Sequence, residues 1–381
     1  MTEKIYYRDP FLKEFTAAVL SCEKSEGGWA VTLDRTAFYP EGGGQPADHG
    51  TLDGAGVTDV REKDGIIVHT CGKALPVGRR VVGRIDWARR FDHMQQHSGE
   101  HIVSGIICGR YHCDNVGFHM GHDLVTIDFN ADIAPGELPG LESAANAYIW
   151  GDTAVDIRFL SGEALEQARF RSKKSIPGAV RLVAFPGADC CACCGTHVAS
   201  SGQVGLVKLL GCQKFREGVR IEMVCGGRAV RYFSCLLDQN TGISRALSAK
   251  PLETFAAVER LQKELYDLRG RVDTLEERDF LRKAEALAGA GDVLLVEGDM
   301  SSESVRKLCG AVLAVCGGRC AVFAGGGSGY KYAIGQREGD LRSLVRELNA
   351  ALNGRGGGRP AFVQGSVSAD ERAIRAFFQD R

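Results

Sequence analysis

Two histidines, His97 and His101, stand four residues apart in the string HSGEH. On a helix that spacing puts both imidazoles on one face, where they can ligate one metal ion. The same string fits H-x-x-E-H, in which Glu100 would be the base of a zinc peptidase. A second pair, Cys193 and His197, spans the string CCGTH. Its thiolate and imidazole complete a set of three histidines and one cysteine suited to Zn²⁺. Cys190, Cys191 and Cys194 are neighbouring thiols able to compete. Four protein ligands would close a structural site, whereas catalysis needs an open position, and spacing alone does not choose. A third motif runs TAFYPEGGGQP from Thr36 to Pro46. Its Gly42, Gly43 and Gly44 let backbone N–H groups come close to a ligand, although a barrel corner would use the same residues. A fourth, GGGRP from Gly356, reads by itself as a loop before an edge strand.

These residues need elements to position them. Residues 1–90 read as β: Trp29, Val31 and Leu33 alternate with polar neighbours, and further short strands are expected at 57–61, 66–70 and 80–85. Short strands with turn signals at this spacing predict a small barrel. The period then changes, and Met94, His97, His101, Ile102 and Ile106 predict a helix over 89–109. Residues 110–230 mix strands at 124–129, 180–185, 204–210 and 219–225 with a helix near 138–150, an α+β pattern. Residues 231–288 read as helical. There Val258, Leu261, Leu265, Leu268, Val272 and Leu275 form a heptad seam. That seam serves either a helical hairpin packing on itself or a homodimer joined through 255–278. ALAGAGD at 286–292 reads as a linker, and 292–381 restarts as α/β. The expected fold is thus α+β and multidomain. It comprises a glycine-rich β-barrel (1–90), a zinc-binding α/β domain (91–230), a helical spacer (231–290) and a C-terminal α/β domain (291–381).

Composition narrows the function classes. The chain has 381 residues, 44% apolar and 25% charged, enough for packed cores. Its 47 Lys and Arg balance 48 Asp and Glu, so it is no generally basic nucleic-acid coat, although one face can still be positive. No apolar run approaches the roughly 18 residues of a membrane span. The start lacks the basic and apolar stretches of an export signal, so the 14 cysteines are expected reduced, in the cytoplasm.

Taken in order, the four motifs resemble the AlaX family of alanyl-tRNA editing proteins, in its long form. RTAFYPEGGGQPADHGTL is similar to the family's glycine-rich loop, HSGEH to its H-x-x-x-H pair and CCGTH to its C-x-x-x-H pair. The stretch from AVFAGGGSG to GGGRPAFVQG resembles the C-terminal domain of alanyl-tRNA synthetase, which is related to the DHH-associated RNA-binding domain. Two departures stand out: Ser98, Gly99 and Glu100 lie between the histidines, and Cys194 replaces a glycine. The chain shows neither an Asp-His-His motif nor an aminoacylation core.

The resemblance implies an aminoacyl-tRNA deacylase that hydrolyses the ester of tRNA(Ala) mischarged with serine, and of the glycine-charged form second. A synthetase pocket for alanine rejects such side chains poorly, and a second, hydrolytic site is the usual remedy. The resemblance further implies one Zn²⁺ per chain on His97, His101, Cys193 and His197. Thr36 would read the serine hydroxyl. Gln45 and the backbone of Gly42 to Gly44 would orient the terminal adenosine and the carbonyl. Residues 291–381 would grip the tRNA body, with Arg355 and Arg359 on phosphates, and could also hold a dimer. The rival readings are the H-x-x-E-H metallopeptidase and a non-catalytic tRNA-binding protein with structural zinc.

Overall fold

The period-two alternation begins well before Trp29. In β1 (Glu14–Ser25) Phe15, Ala17 and Val19 are buried, with exposed Glu14 and Thr16 between and before them. Five more strands follow: β2 (Gly28–Leu33), β3 (Gly50–Leu52), β4 (Ala55–Lys63), β5 (Ile66–Cys71) and β6 (Arg80–Ile85). They close into a barrel in the order β1-β2-β5-β4-β3-β6, every pair antiparallel. Val31, Leu33, Leu52, Val60, Ile67 and Val81 fill it. Between β2 and β3 the chain carries the glycine-rich motif. The computed structural model describes residues 1–172, 178–327 and 329–379. The chain divides into two compact units, Met1–Asn240 and Thr241–Arg381.

A single helix, α1 (Trp87–Tyr111), carries HSGEH. It starts where the Asp86 side chain accepts the Arg89 N–H and stops where His112 turns left-handed at φ 51°. Its Ile102, Val103 and Ile107 join one core with Val125, Ile127, Ile149, Phe185 and Ile221. The partners come from β7 (Asn115–Met120), β8 (Val125–Phe129), α2 (Leu138–Trp150), β9 (Asp156–Leu160), β10 (Val180–Phe185), β11 (Asp189–Ala192), β12 (Val207–Phe215) and β13 (Gly218–Cys225). Two sheets result, of order β12-β13-β8-β7 and β9-β10-β11. Cys190 and Cys191 therefore lie in strand β11, and CCGTH follows it.

α3 (Gly226–Ala246) follows β13, and α4 (Thr254–Ala286) holds the heptad seam. Leu261, Leu265, Leu268, Val272 and Leu275 are 47–62% exposed, so the seam is not packed on a hairpin partner among the described residues. The end of α4 behaves differently. Phe280 and Ala284 are buried with Val305, Leu308 and Val312 of α5 (Ser302–Cys316). The second unit thus begins before the expected 290/291 boundary, because the last turns of the spacer helix belong to its core.

The rest of that unit is a five-stranded sheet: β14 (Gly291–Glu297), β15 (Gly317–Gly326), β16 (Gly329–Gly335), β17 (Gly354–Arg359) and β18 (Phe362–Val367), in the order β14-β15-β16-β18-β17. α6 (Arg342–Ala351) and α7 (Glu371–Gln379) complete it. GGGRP is not a loop before an edge strand. Gly354–Arg359 is the edge strand itself, antiparallel to β18. Its glycines are steric: a Cβ on Gly356 would meet the Tyr332 hydroxyl at 2.2 Å and the Gln364 carbonyl at 2.5 Å. Arg355 and Arg359 are exposed on one face of this edge.

A chain ended at Ala290 is expected to keep the first unit folded. Phe280 loses its cover, worth about 1.5–3 kcal/mol for a buried side chain of this size. Hydrogen exchange should show the last turns of α4 unprotected in that variant. Protection equal to the full chain's would mean that α4 stands alone.

Candidate metal centre and the cavity beside it

The four expected ligands converge. Ligand atoms of His97, His101, Cys193 and His197 all lie within 4.8 Å of one another, although His97 and Cys193 are 96 positions apart in sequence. The three imidazoles are buried and Cys193 is half-buried. Their approach demands small residues. A Cβ on Gly195 would sit 2.2 Å from the His97 ring, and one on Gly99 would sit 2.2 Å from Cys225 Sγ.

Each ring is held by its Nδ1. His97 Nδ1 donates to Gln45 Oε1 at 2.9 Å, and His197 Nδ1 lies 3.2 Å from Ser98 Oγ. His101 Nδ1 is 2.9 Å from Asp189 Oδ2, off the axis of a straight hydrogen bond. Arg171 anchors that carboxylate with two bonds of 2.7 and 2.8 Å. Holding Nδ1 fixes each ring's tautomer and turns Nε2 toward the shared centre. Cys193 Sγ lies 3.4 Å from His97 Nε2 and 3.3 Å from His197 Nε2. Burial pushes the Cys193 thiol up, but His97, His197 and His101 outweigh it and hold it well below the usual thiol range. Three imidazoles and one thiolate make a donor set that fits Zn²⁺.

The Cys193–His197 turn is clamped from behind. Arg181 donates to the carbonyls of Cys193 and Gly195 at 2.8 and 3.0 Å, and the Gly195 N–H donates to Cys193 Sγ at 3.3 Å. Of the competing thiols, Cys191 joins His101 and Asp189 in a second set of neighbouring ligand atoms, while Cys190 and Cys194 join neither set. Burial pushes the Cys191 thiol up to about 11.

A cavity of about 500 Å³ opens onto the cluster, lined by Gly43, Gly44, Glu100, Gly117, Phe118 and Cys193 among others. Gly42 and Gln45 exchange backbone hydrogen bonds of 3.1 and 3.0 Å, so the glycine run is a two-residue turn. Gly43 and Gly44 have φ of 59° and 84°, which favours glycine, and a Cβ on Gly44 would strike the Phe118 ring at 2.5 Å. Phe118 in turn stacks on His97 with ring centres 5.0 Å apart. The N–H groups of Gly43 and Gly44 meet no acceptor among the described residues. Glu100 Oε1 accepts from Ser104 Oγ at 2.7 Å and Asn115 Nδ2 at 2.5 Å, while Oε2 has no donor among the described residues.

Two expectations change. Gln45 is spent inside the protein: Oε1 also accepts the Thr196 N–H at 3.1 Å, and Nε2 donates to Thr196 Oγ1 at 2.9 Å. It positions His97 and the Thr196 turn, and it is wholly buried and does not line the cavity. Thr36 is wholly buried and does not line the cavity. His69 Nδ1 donates to the Val31 carbonyl at 3.1 Å, so its Nε2 accepts the Thr36 hydroxyl at 2.8 Å. Burial pushes His69 down to about 4 and keeps it neutral for this role. Sequence reading missed Asp189, Phe118 and Arg181. Only Asp189 left a trace, as the acid that opens the cysteine run.

Comparison with known proteins agrees with this site. The family model described as tRNA synthetases class II (A) matches residues 9–89. The one described as threonyl and alanyl tRNA synthetase second additional domain matches residues 180–222, which include Cys193 and His197. The alanyl-tRNA editing protein AlaX-L of Pyrococcus horikoshii is 29% identical, over 98% of this chain and 96% of its own. The alanyl-tRNA editing protein Aarsd1 of Danio rerio is 32% identical, over 67% of this chain and 66% of its own. The alanine–tRNA ligase of Pyrococcus abyssi is 32% identical over 98% of this chain, which spans 43% of that enzyme. The C-Ala domain of Aquifex aeolicus alanyl-tRNA synthetase aligns with 22% of the chain at a TM-score of 0.21, too low to bear on the fold. The clustered ligands and the full-length match to AlaX-L lead to one conclusion: the chain belongs to the AlaX family of alanyl-tRNA editing proteins.

Proposed function

We propose that the protein is a trans-editing deacylase. It hydrolyses the ester that joins serine, and secondarily glycine, to the terminal adenosine of tRNA(Ala). The observation that carries this reading is the cavity in which the ligand cluster, two unpaired backbone N–H groups and one carboxylate oxygen meet. His97, His101, Cys193 and His197 would hold one Zn²⁺, which supplies Lewis-acid polarisation when bound.

The chain's own groups have distinct tasks. The N–H groups of Gly43 and Gly44 are donors with no competing acceptor, fit to hold the ester carbonyl or the terminal ribose. Glu100 is fixed through Oε1, so Oε2 presents a placed negative charge to the cavity. The α-ammonium of an aminoacyl ester is its natural partner. Phe118 covers the His97 ring and narrows the space left to water. With Oε1 doubly bonded and the remaining ligands Cys193 and His197 in place of an acid, Glu100 is not arranged as a peptidase base. Arg355 and Arg359, exposed on the glycine edge strand, would bind tRNA phosphates, and the exposed seam of α4 would take a second copy. No described helix is long and apolar enough to cross a membrane.

Four measurements test this. Deacylation of Ser-tRNA(Ala) and Gly-tRNA(Ala), but not Ala-tRNA(Ala), is expected and should vanish with chelator. Metal analysis should find one zinc per chain, lost from the His97→Ala, His101→Ala double variant. A variant that keeps its zinc sinks the ligand set. Glu100→Gln should slow Ser-tRNA(Ala) about 10–100-fold, the value of a charge-assisted hydrogen bond of about 1.5–3 kcal/mol. N-acetyl-seryl-tRNA, which has no ammonium, should be unaffected, and equal losses on both would remove the role given to Glu100. Thr36→Val should cost about 1–3 kcal/mol of stability, because His69 loses its donor, and leave the ratio of serine to glycine activity unchanged. A changed ratio would restore Thr36 as the serine reader.

A further inference from the structure

A second cavity, of about 560 Å³, lies in the first unit and plays no part in the chemistry above. Arg89, Arg228 and Arg231 line it together with His93, Tyr232 and Asp92. His93 is only 2% exposed, yet its Nδ1 has no hydrogen-bond partner among the described residues. A buried polar atom left unpaired costs free energy, and His93 is one of the residues that line this cavity. Burial, with Arg89, Arg228 and Arg90 nearby, pushes His93 down to about 3, so the ring is neutral and offers one N–H.

The charges favour an anion. Arg228 is committed: it pairs with Asp92 at 2.7 Å and donates to the Gly121 carbonyl at 2.7 Å. Arg89 uses its Nε on the Ala47 carbonyl at 3.0 Å, and its two terminal nitrogens meet no acceptor among the described residues. Arg231 stands 69% exposed at the mouth, 3.7 Å from Asp92. Asp123, on the rim, is 87% exposed and lies 2.6 Å from His122. Three guanidinium groups therefore face two carboxylates, one of which is already shared between arginines.

Its position relative to the metal centre identifies the anion. His93, which lines the second cavity, and His97, which lines the first, are four residues and so about one helix turn, roughly 5–6 Å, apart along one face of α1. The glycine turn separates them: Gly43 and Gly44 line the reaction cavity, and Pro46 lines the second. β7 and its turn do the same, with Gly117 and Phe118 on one side and Gly121 to Asp123 on the other. A strand whose terminal ester lies at the cluster must send its preceding phosphates past this turn. Resting on the deacylase reading, we propose that the second cavity is the subsite for a backbone phosphodiester of the substrate's single-stranded 3′ end. Arg89 and Arg231 clasp the phosphate, His93 donates its N–H to it, and Tyr232 offers a half-exposed ring for a base to stack on.

The test is binding of uncharged RNA minihelices to the full-length protein, which needs no hydrolysis. One minihelix ends in single-stranded CCA and the other is blunt. His93→Leu removes a neutral group, so general electrostatics are untouched. It should weaken the CCA-ended minihelix about tenfold, leave the blunt one unchanged, and keep or raise the melting temperature of the free protein. Arg231→Glu should weaken the CCA-ended minihelix at least as much. It should also reduce the slope of log affinity against log salt by about 0.7 for each phosphate no longer neutralised. Equal weakening of both minihelices, or no effect of His93→Leu, would overturn the subsite. Failure of the deacylase reading would show separately, as an intact protein that binds the CCA end and releases no amino acid from Ser-tRNA(Ala).

Discussion

A buried ion pair sets the register on which the metal centre depends. The Arg90 and Asp48 side chains are both fully buried and joined through Nε and Nη2 of the guanidinium. Arg90 also donates to the Pro10 carbonyl at 2.8 Å and to the Ala37 carbonyl at 2.5 Å, and Asp48 accepts the Tyr39 N–H at 2.6 Å. Such a pair is weak evidence for stability, but losing one partner costs about 3–5 kcal/mol, so no alternative register is open. The constraint is geometric. Gln45 lies three residues before Asp48, and His97 lies two helical turns after Arg90. Locking the charged pair brings the amide of one segment to the imidazole of the other.

From that lock the site is braced in three directions. The Nδ1 atoms of His97, His101 and His197 rest on groups from the glycine turn, from β11 and from α1. Moving any one element would release one ring. Gln45 does most, because its amide joins His97, the Thr196 backbone and the Thr196 hydroxyl at once. Rings fixed before a metal arrives lose little freedom on binding it, which is what a preorganised site requires. The same bracing explains why the cavity wall can be glycine: Gly44 rests against Phe118, and Phe118 rests on His97.

The clustering of the four candidate ligands is legible in the sequence because they come in pairs four apart, and that spacing has a local meaning on α1 and in the Cys193–His197 turn. Most strands and helices are legible for the same reason, by their periods. What stays hidden is long-range. Gln45 resembles a substrate group, since nothing local says that His97, 52 positions away, takes its oxygen. Thr36 resembles a reader of serine, since its partner His69 is 33 positions away across the barrel. GGGRP reads as a loop because glycine runs usually break strands. Here, glycine is what lets β17 come within reach of β18 and Tyr332. The spacer reads as separable because ALAGAGD is flexible in composition, whereas the burial of Phe280 is settled by α5.

The choice among four cysteines shows how the fold completes what the motif leaves open. Cys190 and Cys191 lie in β11, opposite Ala184 and Val183 of β10, where the ladder fixes their backbone. Burial raises both thiols, and no imidazole cluster offsets it as at Cys193. Cys194 is exposed. Cys193 and Cys194 both sit past the end of the strand, but it is at Cys193 that Arg181 holds the carbonyl and the Gly195 N–H reaches the sulfur. Three imidazoles face it, and they overcome the burial that raises its neighbours. Where β11 ends therefore decides which cysteine joins the histidine cluster. Were the strand to run two residues further, Cys193 would lose the turn that aims it, and the histidines would face a thiol that had no reason to ionise.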